Sequence, residues 1–285
     1  MKWAVTVISP PGYIHSLVFK EVAETIFYGL KALGYDVVLT DDGTLPGRRH
    51  IVLGSNLLLH YPVQLSDDAI IYNLEQVENN PGWIRPELVE IFKKYIVWDY
   101  CQANVEAFSD LGIHVAQVLP IGYRKEITRI QKPSQQDIDV LFLGSLNPRR
   151  LAVLDAIKAF GLKVFYPFGV YGADRDKLIG RSKLLLNLHF YDAKILEIVR
   201  ISYYLANRCA VLSERSANSD DDKIFQKGLF FSEYLDLART ARELCDNPQL
   251  LKTTAKKGFA IMKERNIEGY LRSAISGQLK AEHQS

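Results

Sequence analysis

The sequence predicts an α/β chain carrying two Rossmann-like units, each built on a parallel sheet. Three observations lead there. Residues 3–8 form an apolar, β-branched run that ends in Ser9-Pro10-Pro11-Gly12, and helical spacing and a second apolar run follow. That order is a strand–loop–helix–strand unit, the building block of a parallel sheet. After the polar stretch 131–136, a fresh apolar strand begins at residues 139–143. The chain has 285 residues, 48% of them hydrophobic, so at about 100–200 residues per domain it can bury one large core or two small ones.

The elements follow in order. Leu17, Val22, Ile26, Leu30 and Leu33 recur at helical spacing over residues 16–33, Gly34 stops the helix, and residues 35–39 make a second strand. Strands are expected at 50–53, 69–73, 95–98 and 114–118, with helices at 86–94 and 104–111. The second series runs strand 139–143, helix 151–160, strand 162–166, helix 175–182, strand 184–188, helix 195–206 and strand 210–213. A short strand at 229–231 and helices from Tyr234 onward complete it. The expected division is a first domain at 1–123, a linker at 124–137, a second domain at 138–268, and a terminal helix and tail at 269–285. A single larger sheet is the alternative; the polar stretch before a new first strand favours two domains.

Composition narrows the function. A formal net charge of +2 provides no broad basic surface, so nucleic acid is not an expected partner. Average Gly and Pro with high apolar content exclude collagen-like and disordered classes. Cys101, Cys209 and Cys245 are scattered and odd in number, which fits a reducing compartment rather than a disulfide framework. The N-terminal run is short and lacks a small-residue cleavage site, and no stretch nears the roughly 18–20 apolar residues of a membrane span. A cytoplasmic location without a transmembrane segment is therefore the expectation.

Ligands of open α/β sheets bind beyond the carboxyl ends of the strands. In the second series, residues 144–150 join a strand to a helix. Gly144 and Ser145 let a ligand approach the backbone, Asn147 precedes the helix, and Arg149 and Arg150 add positive charge, a set suited to a diphosphate. The loop is neither a Walker loop nor a GxGxxG fingerprint, which removes the usual support for ATP-driven and nicotinamide chemistry. Glu197 and Arg200 are spaced to share one helix face: either an internal ion pair, or an arginine on phosphate with a glutamate orienting it. Asn187, His189 and Tyr191 alternate at a strand end and could line a base and ribose, or be ordinary packing. In the first series Glu75 and Asp99 end strands and His15 lies in the first loop. Each is a candidate general base, with capping as the other reading. HExxH, clustered Cys/His and Gly-x-Ser-x-Gly patterns are missing, so neither a bound metal nor the usual hydrolase signal is expected.

Residues 194–214 (KILEIVRISYYLANRCAVLSE) resemble the donor-binding segment of GT-B glycosyltransferases, nearest the spore-maturation-protein-like branch of the group 1 enzymes. Residues 139–145 (DVLFLGS) resemble the first strand and loop of such a donor domain, and residues 172–176 with 182–187 the helix and strand before the donor segment. Motif-level similarity covers residues 138–232. Arg200 falls on the family's arginine and Glu214 on the acid that ends the following strand. Tyr203 stands where the family has a glutamate, three residues after the arginine; Glu197, one turn earlier, is the expected substitute. The pair of glutamates separated by seven residues is missing.

The resemblance implies two Rossmann-like domains facing across a cleft, with a nucleoside-diphosphate sugar held by the second and an acceptor by the first. It implies transfer of a hexosyl or related group to a glycan, a lipid-linked glycan or a protein, with no cofactor beyond the donor substrate and no metal. Arg149, Arg150 and Arg200 would take the diphosphate, and Glu197 or Glu214 ribose or sugar hydroxyls. Asp99, Glu75 or His15 would act on the acceptor hydroxyl. Alternatives are a nucleotide-sugar epimerase or hydrolase of the same fold, and a non-catalytic binding or assembly module.

Overall fold

The computed structural model describes residues 1–77, 83–191 and 193–284. In chain order its first elements are β1 (Lys2–Val7), α1 (Lys20–Ala32), β2 (Asp36–Thr40), β3 (Arg49–Leu53) and β4 (Ile70–Asn73). Next come α2 (Pro86–Lys94), β5 (Ile96–Asp99), α3 (Gln102–Asp110) and β6 (Val115–Val118). The second series holds β7 (Ile138–Phe142), α4 (Pro148–Ala159), β8 (Val164–Phe165), α5 (Gly172–Arg181), β9 (Ser182–Asn187) and α6 (Ile198–Ala206). It continues with β10 (Val211–Glu214), α7 (Ser219–Phe225), β11 (Phe230–Ser232), α8 (Leu237–Cys245) and α9 (Pro248–Glu264), and the chain closes with α10 (Ile267–Gln284). It divides into two compact units: Met1–Glu126 with Asn266–Ser285, and Ile127–Arg265.

The first unit holds a six-stranded sheet in the order β2-β1-β3-β4-β5-β6, all pairs parallel. The winding direction reverses between β1 and β3, so the loops after those strands flank the switch point where such sheets bind ligands. The expected helix 16–33 begins as a 3-10 turn, Ile14–Phe19, in which the Ser16 hydroxyl donates to the Tyr13 carbonyl at 3.0 Å; α-helix follows from Lys20.

The helix α10, expected as a tail behind the second domain, packs in the first unit. Gly29 of α1 makes room for it: a Cβ there would stand 2.7 Å from Leu271 Cδ1 and 2.9 Å from Ile267 Cγ2. Polar contacts fix the rest of its length. Glu268 pairs with Arg124, Trp98 Nε1 donates to Gln278 Oε1 at 3.3 Å, and Glu282 pairs with Arg49.

The second unit holds a five-stranded parallel sheet, β11-β10-β9-β7-β8, with the reversal between β7 and β9. Val140 and Phe142 of β7 share one face with Leu184 and Leu186 of β9 and Leu212 of β10, because side chains two apart point the same way. They pack against Leu154 and Ile157 of α4 and Leu237 and Ala241 of α8. Each Val, Leu, Ile or Phe among them, fully buried, contributes about 1.5–3 kcal/mol.

Helix α6 starts at Ile198 rather than at the expected residue 195. Lys194 has φ 46° and Glu197 has φ −71° and ψ 56°, neither of which continues a helix. Glu197 thus sits outside the helix, ahead of its first turn. At the other end, Asn207 Oδ1 accepts the N–H groups of Arg129 and Ile130 at 2.8 and 2.9 Å, and its Nδ2 donates to the Ile127 carbonyl at 3.0 Å. Those bonds tie residues 127–130, inside the expected linker, to the second unit. Among the described residues no helix is long and apolar enough to cross a membrane.

Candidate functional site

In the second unit, the ends of β7, β9 and β10 bring most of the expected binding residues together. Asn147 caps α4 by accepting the Arg150 N–H at 2.8 Å on its Oδ1, and Pro148 opens the helix. This geometry turns the two adjacent arginines to different tasks.

Arg150 is 2% exposed and spent on backbone. Its Nη1 donates to the Ser145 carbonyl at 2.7 Å, its Nε to the His189 carbonyl at 3.3 Å, and its Nη2 to the Leu188 carbonyl. The rings of Phe142 and Phe190 flank it at 5.2 and 5.0 Å. Burial, and after it the neighbouring Arg200 charge, pushes the guanidinium down to about 10, which leaves it charged at neutral pH. Arg149 grips Glu214 with both Nη atoms, one contact at 2.8 Å, and lies 4.2 Å over the Tyr234 ring. Glu214 also accepts the His189 N–H at 3.3 Å.

Arg200 keeps donors unspent among the described residues. Its Nη1 donates to Asn187 Oδ1 at 3.2 Å, and among the described residues its Nε and Nη2 have no hydrogen-bond partner. Nη2 lies 3.2 Å from where a Cβ on Gly144 would stand. The glycine therefore lets the guanidinium approach the backbone just before α4. The Ser145 side chain is exposed on the same loop.

Behind Arg200 runs a polar chain. Asn187 Nδ2 donates to Glu197 Oε2 at 2.7 Å and to Ser213 Oγ at 3.0 Å. Glu197 faces His189 Nδ1 at 3.1 Å, and His189 Nε2 faces the Arg215 carbonyl at 3.0 Å. Glu197 is thus tied to Asn187 and His189 rather than paired along the helix with Arg200. Burial disfavours its charge, but the bonds from His189 and Asn187 and the Arg200 charge outweigh it and hold the carboxyl below its ordinary value. His189 is shifted upward by Glu197 and Glu214 against the opposing effect of burial. Tyr191 packs edge-on against Phe190, ring centres 5.1 Å apart.

Tyr203 points away from this set. Its hydroxyl donates to Asp176 Oδ2 at 2.9 Å and accepts from Arg129 Nε at 3.1 Å, with the Arg175 guanidinium 4.6 Å from its ring centre. Burial raises its phenol above the ordinary value.

In the first unit, Asn73 and Asn104 link Asp99 to the Glu75 carbonyl at the ends of β5 and β4, and the His15 ring lies 5.2 Å from that of Tyr13. Asp99 is fully buried and saturated. It accepts from Asn73 Nδ2 at 2.7 Å, from the Cys101 N–H at 2.8 Å, and from Asn104 Nδ2 at 3.0 and 3.1 Å. Burial still pushes its carboxyl up to about 7. Asn73 and Asn104 also donate to the Glu75 carbonyl, at 2.8 and 2.9 Å, so the cluster fixes the loop that carries Glu75. The Glu75 carboxyl is half-buried, raised by burial, and met by Asn56 Nδ2 at 3.4 Å. Among the described residues that is the one hydrogen bond its carboxyl makes.

Asn56, Asn73 and Asn104 were not candidates from the sequence. Asn73 stands in the strand-end segment that carries Glu75, but nothing local to Asn56 or Asn104 marks them. Among the described residues no group of His, Cys, Asp and Glu is arranged to hold a metal ion.

No protein-family model matches the chain. The two sheets and their connections are those of the GT-B glycosyltransferases, and this is the fold of the chain. Among solved structures, sucrose-phosphate synthase from Thermosynechococcus elongatus is 11% identical with a TM-score of 0.57, over 99% of each chain. Anabaena HepE, solved in complex with UDP, is 13% identical with a TM-score of 0.56, over 99% of this chain and 100% of that one. TarM is 13% identical with a TM-score of 0.57; the match takes in 90% of this chain and only 58% of TarM. In sequence, an uncharacterized protein of Acanthamoeba polyphaga mimivirus is 25% identical over 242 residues, 80% of this chain and 74% of that protein. A second uncharacterized protein of the same virus is 26% identical over 216 residues, 71% of this chain and 29% of its own length.

Proposed function

We propose that the chain is a glycosyltransferase that moves a sugar from a nucleoside diphosphate to an acceptor hydroxyl. The observation that carries this reading is Arg200. It is a cation with Nε and Nη2 free of partners among the described residues, set against Gly144 at the switch point of the second sheet and ahead of the α4 N-terminus. Guanidinium and exposed backbone N–H groups are the partners that a departing diphosphate needs. That HepE was solved with UDP supports a nucleoside diphosphate as the ligand class.

Within this reading Arg200 takes the diphosphate and stabilises the charge that grows as the glycosidic bond breaks. Arg150 shapes the loop from below, and Arg149 with Glu214 forms a wall of the same site. Glu197, held by Asn187 and His189, is the acid nearest to sugar or ribose hydroxyls. In the first unit Glu75 takes the acceptor proton, since a raised carboxyl is a better base at neutral pH, and Asp99 positions its loop. The cations present allow departure of the diphosphate without a metal, which activity retained in chelator would support.

Screening UDP-, GDP-, dTDP- and CMP-sugars by thermal shift, then assaying transfer and hydrolysis with the strongest, tests the proposal. Arg200→Ala should abolish donor binding with the fold intact; unchanged nucleotide affinity in that variant would remove Arg200 from the site. A second reading, a non-catalytic module that binds nucleotide without turnover, is favoured by Tyr203, which is buried elsewhere where the family has a glutamate. Donor turnover without any acceptor would instead indicate an epimerase or hydrolase.

A further inference from the structure

Both ring nitrogens of His189 face oxygen acceptors. Nδ1 lies 3.1 Å from Glu197 Oε2 and 3.2 Å from Oε1, and Nε2 lies 3.0 Å from the Arg215 carbonyl oxygen. A neutral imidazole carries one N–H, so either tautomer would set a nitrogen lone pair against an oxygen lone pair. The ring is 1% exposed, so water cannot relieve that clash. A proton on Glu197 could satisfy Nδ1, but Asn187 donates to that carboxylate at 2.7 Å and the Arg200 charge is nearby, both of which favour the ionised acid.

We propose that His189 serves the donor site as a fixed imidazolium. It is a positioning residue whose two N–H bonds lock Glu197 to the Arg215 loop, and its charge completes the field that receives the diphosphate. This rests on the donor reading above and adds a residue that acts through others. The ring touches no ligand position itself; what it holds is Glu197, and through Glu197 and Asn187 the side chain of Arg200.

The charges around the ring set the balance. Glu197 faces it from the loop before α6, and Glu214 at the end of β10 accepts its backbone N–H. Arg149 and Arg150 of α4 donate to its carbonyl, Arg215 offers its own carbonyl, and Arg200 of α6 reaches it through Asn187. Around the Gly144 loop, Arg149, Arg150, Arg200 and a protonated His189 give four positive charges against two from Glu197 and Glu214. The surplus of two matches the two negative charges of a nucleoside-diphosphate sugar. A neutral ring would halve it.

Two measurements test this on the full chain. The first needs no nucleotide: long-range nitrogen–proton NMR on histidine-labelled protein, with His189 assigned by comparison with His189→Gln. Both ring nitrogens should carry protons at about pH 7.5, well above where a free histidine loses its charge. A neutral tautomer there overturns the proposal. The second is calorimetry from about pH 6 to about pH 8 with whichever of UDP-, GDP- and dTDP-glucose shifts melting most, a window in which the diphosphate keeps its two charges and the base stays neutral. His189→Gln, which lacks the positive charge, should bind about tenfold more weakly than the wild type at about pH 7.5. Equal affinity of His189→Gln and the wild type at about pH 7.5 overturns the binding role. If none of the three binds at any pH, the donor reading fails, while NMR still decides the protonation state. Should His189→Gln not fold, the NMR assignment can come from Glu197→Gln, which moves the same resonance.

Discussion

The Nη2 of Arg200 lies 3.2 Å from the place where a Cβ on Gly144 would stand. The same position is 3.2 Å from Phe142 Cζ and 3.4 Å from Arg150 Nη1, so the glycine keeps open the space in which the guanidinium meets the backbone. Gly144→Ala should therefore displace Arg200 by a few tenths of an ångström without breaking the fold, because the near atom ends a flexible side chain. Nucleotide affinity should fall about tenfold and the free energy of unfolding should change by less than about 1 kcal/mol. Calorimetry and a denaturant melt on the same preparation check both halves.

The adjacent arginines should separate when mutated. Arg150→Ala removes the donors to the Leu188, His189 and Ser145 carbonyls, of which Arg149 still reaches only that of His189, and empties an aromatic cradle, at a cost of about 3 kcal/mol. Arg200→Ala leaves one amide oxygen to find water and should barely move the melt. Urea titrations read the first effect and nucleotide binding the second. Equal destabilisation by the two would contradict the division of labour.

Glu75 and Asp99 should likewise part company. Asp99→Asn sets an NH2 group against the donors from Asn73, Asn104 and Cys101, and should lower stability by about 1–3 kcal/mol. Glu75→Gln should leave stability nearly unchanged and cut transfer by about 100-fold or more if the carboxylate takes the acceptor proton. Initial rates at saturating donor, set beside melting curves, distinguish the two roles.

The His189–Glu197 pair predicts a stability maximum in mildly acid solution. His189 is raised above its ordinary 6.5, so its contribution is fully present below that value and lost as pH rises through the folded value. Glu197 is lowered below its ordinary 4.5, so its contribution is present above that value and lost as pH falls through the folded one. Both act together between about pH 4.5 and about pH 6.5. Denaturant melts of Glu197→Gln across pH should be flatter than wild type at both ends of that window.

Placing a glutamate at position 203, where the GT-B enzymes that the segment resembles carry one, should fail. Tyr203→Glu buries a carboxylate beside Asp176, and should destabilise the second unit without improving donor binding. Tyr203→Phe removes only the hydroxyl bonds to Asp176 and Arg129, for about 1–2 kcal/mol. A gain of affinity in the glutamate variant would sink the assignment of Tyr203 to packing.

Strand and helix positions were legible because they rest on local periodicity. The runs at residues 139–143 and 184–188 and the Gly34 stop need only neighbours in sequence. The start of α6 was not, since the φ of Lys194 is imposed by the surrounding loop, whose Lys194 carbonyl accepts the Ala217 N–H at 3.1 Å. The placement of α10 was not legible either, because its apolar face finds Gly29 across more than two hundred residues. Among the candidate residues, the strand-end rule picked out Arg149, Arg150, Asn187 and His189, and the GT-B resemblance picked out Glu214. The sequence by itself thus determined two parallel-sheet units and the loops on which polar groups gather. Only the tertiary structure decided that Arg150 is spent on carbonyls, Arg149 on Glu214 and Asp99 on two asparagines, while Arg200 and Glu75 each keep a single side-chain hydrogen bond among the described residues. A side chain's chemistry is written at its position, but whether its donors and acceptors are already satisfied depends on backbone and side chains that distant parts of the chain bring alongside.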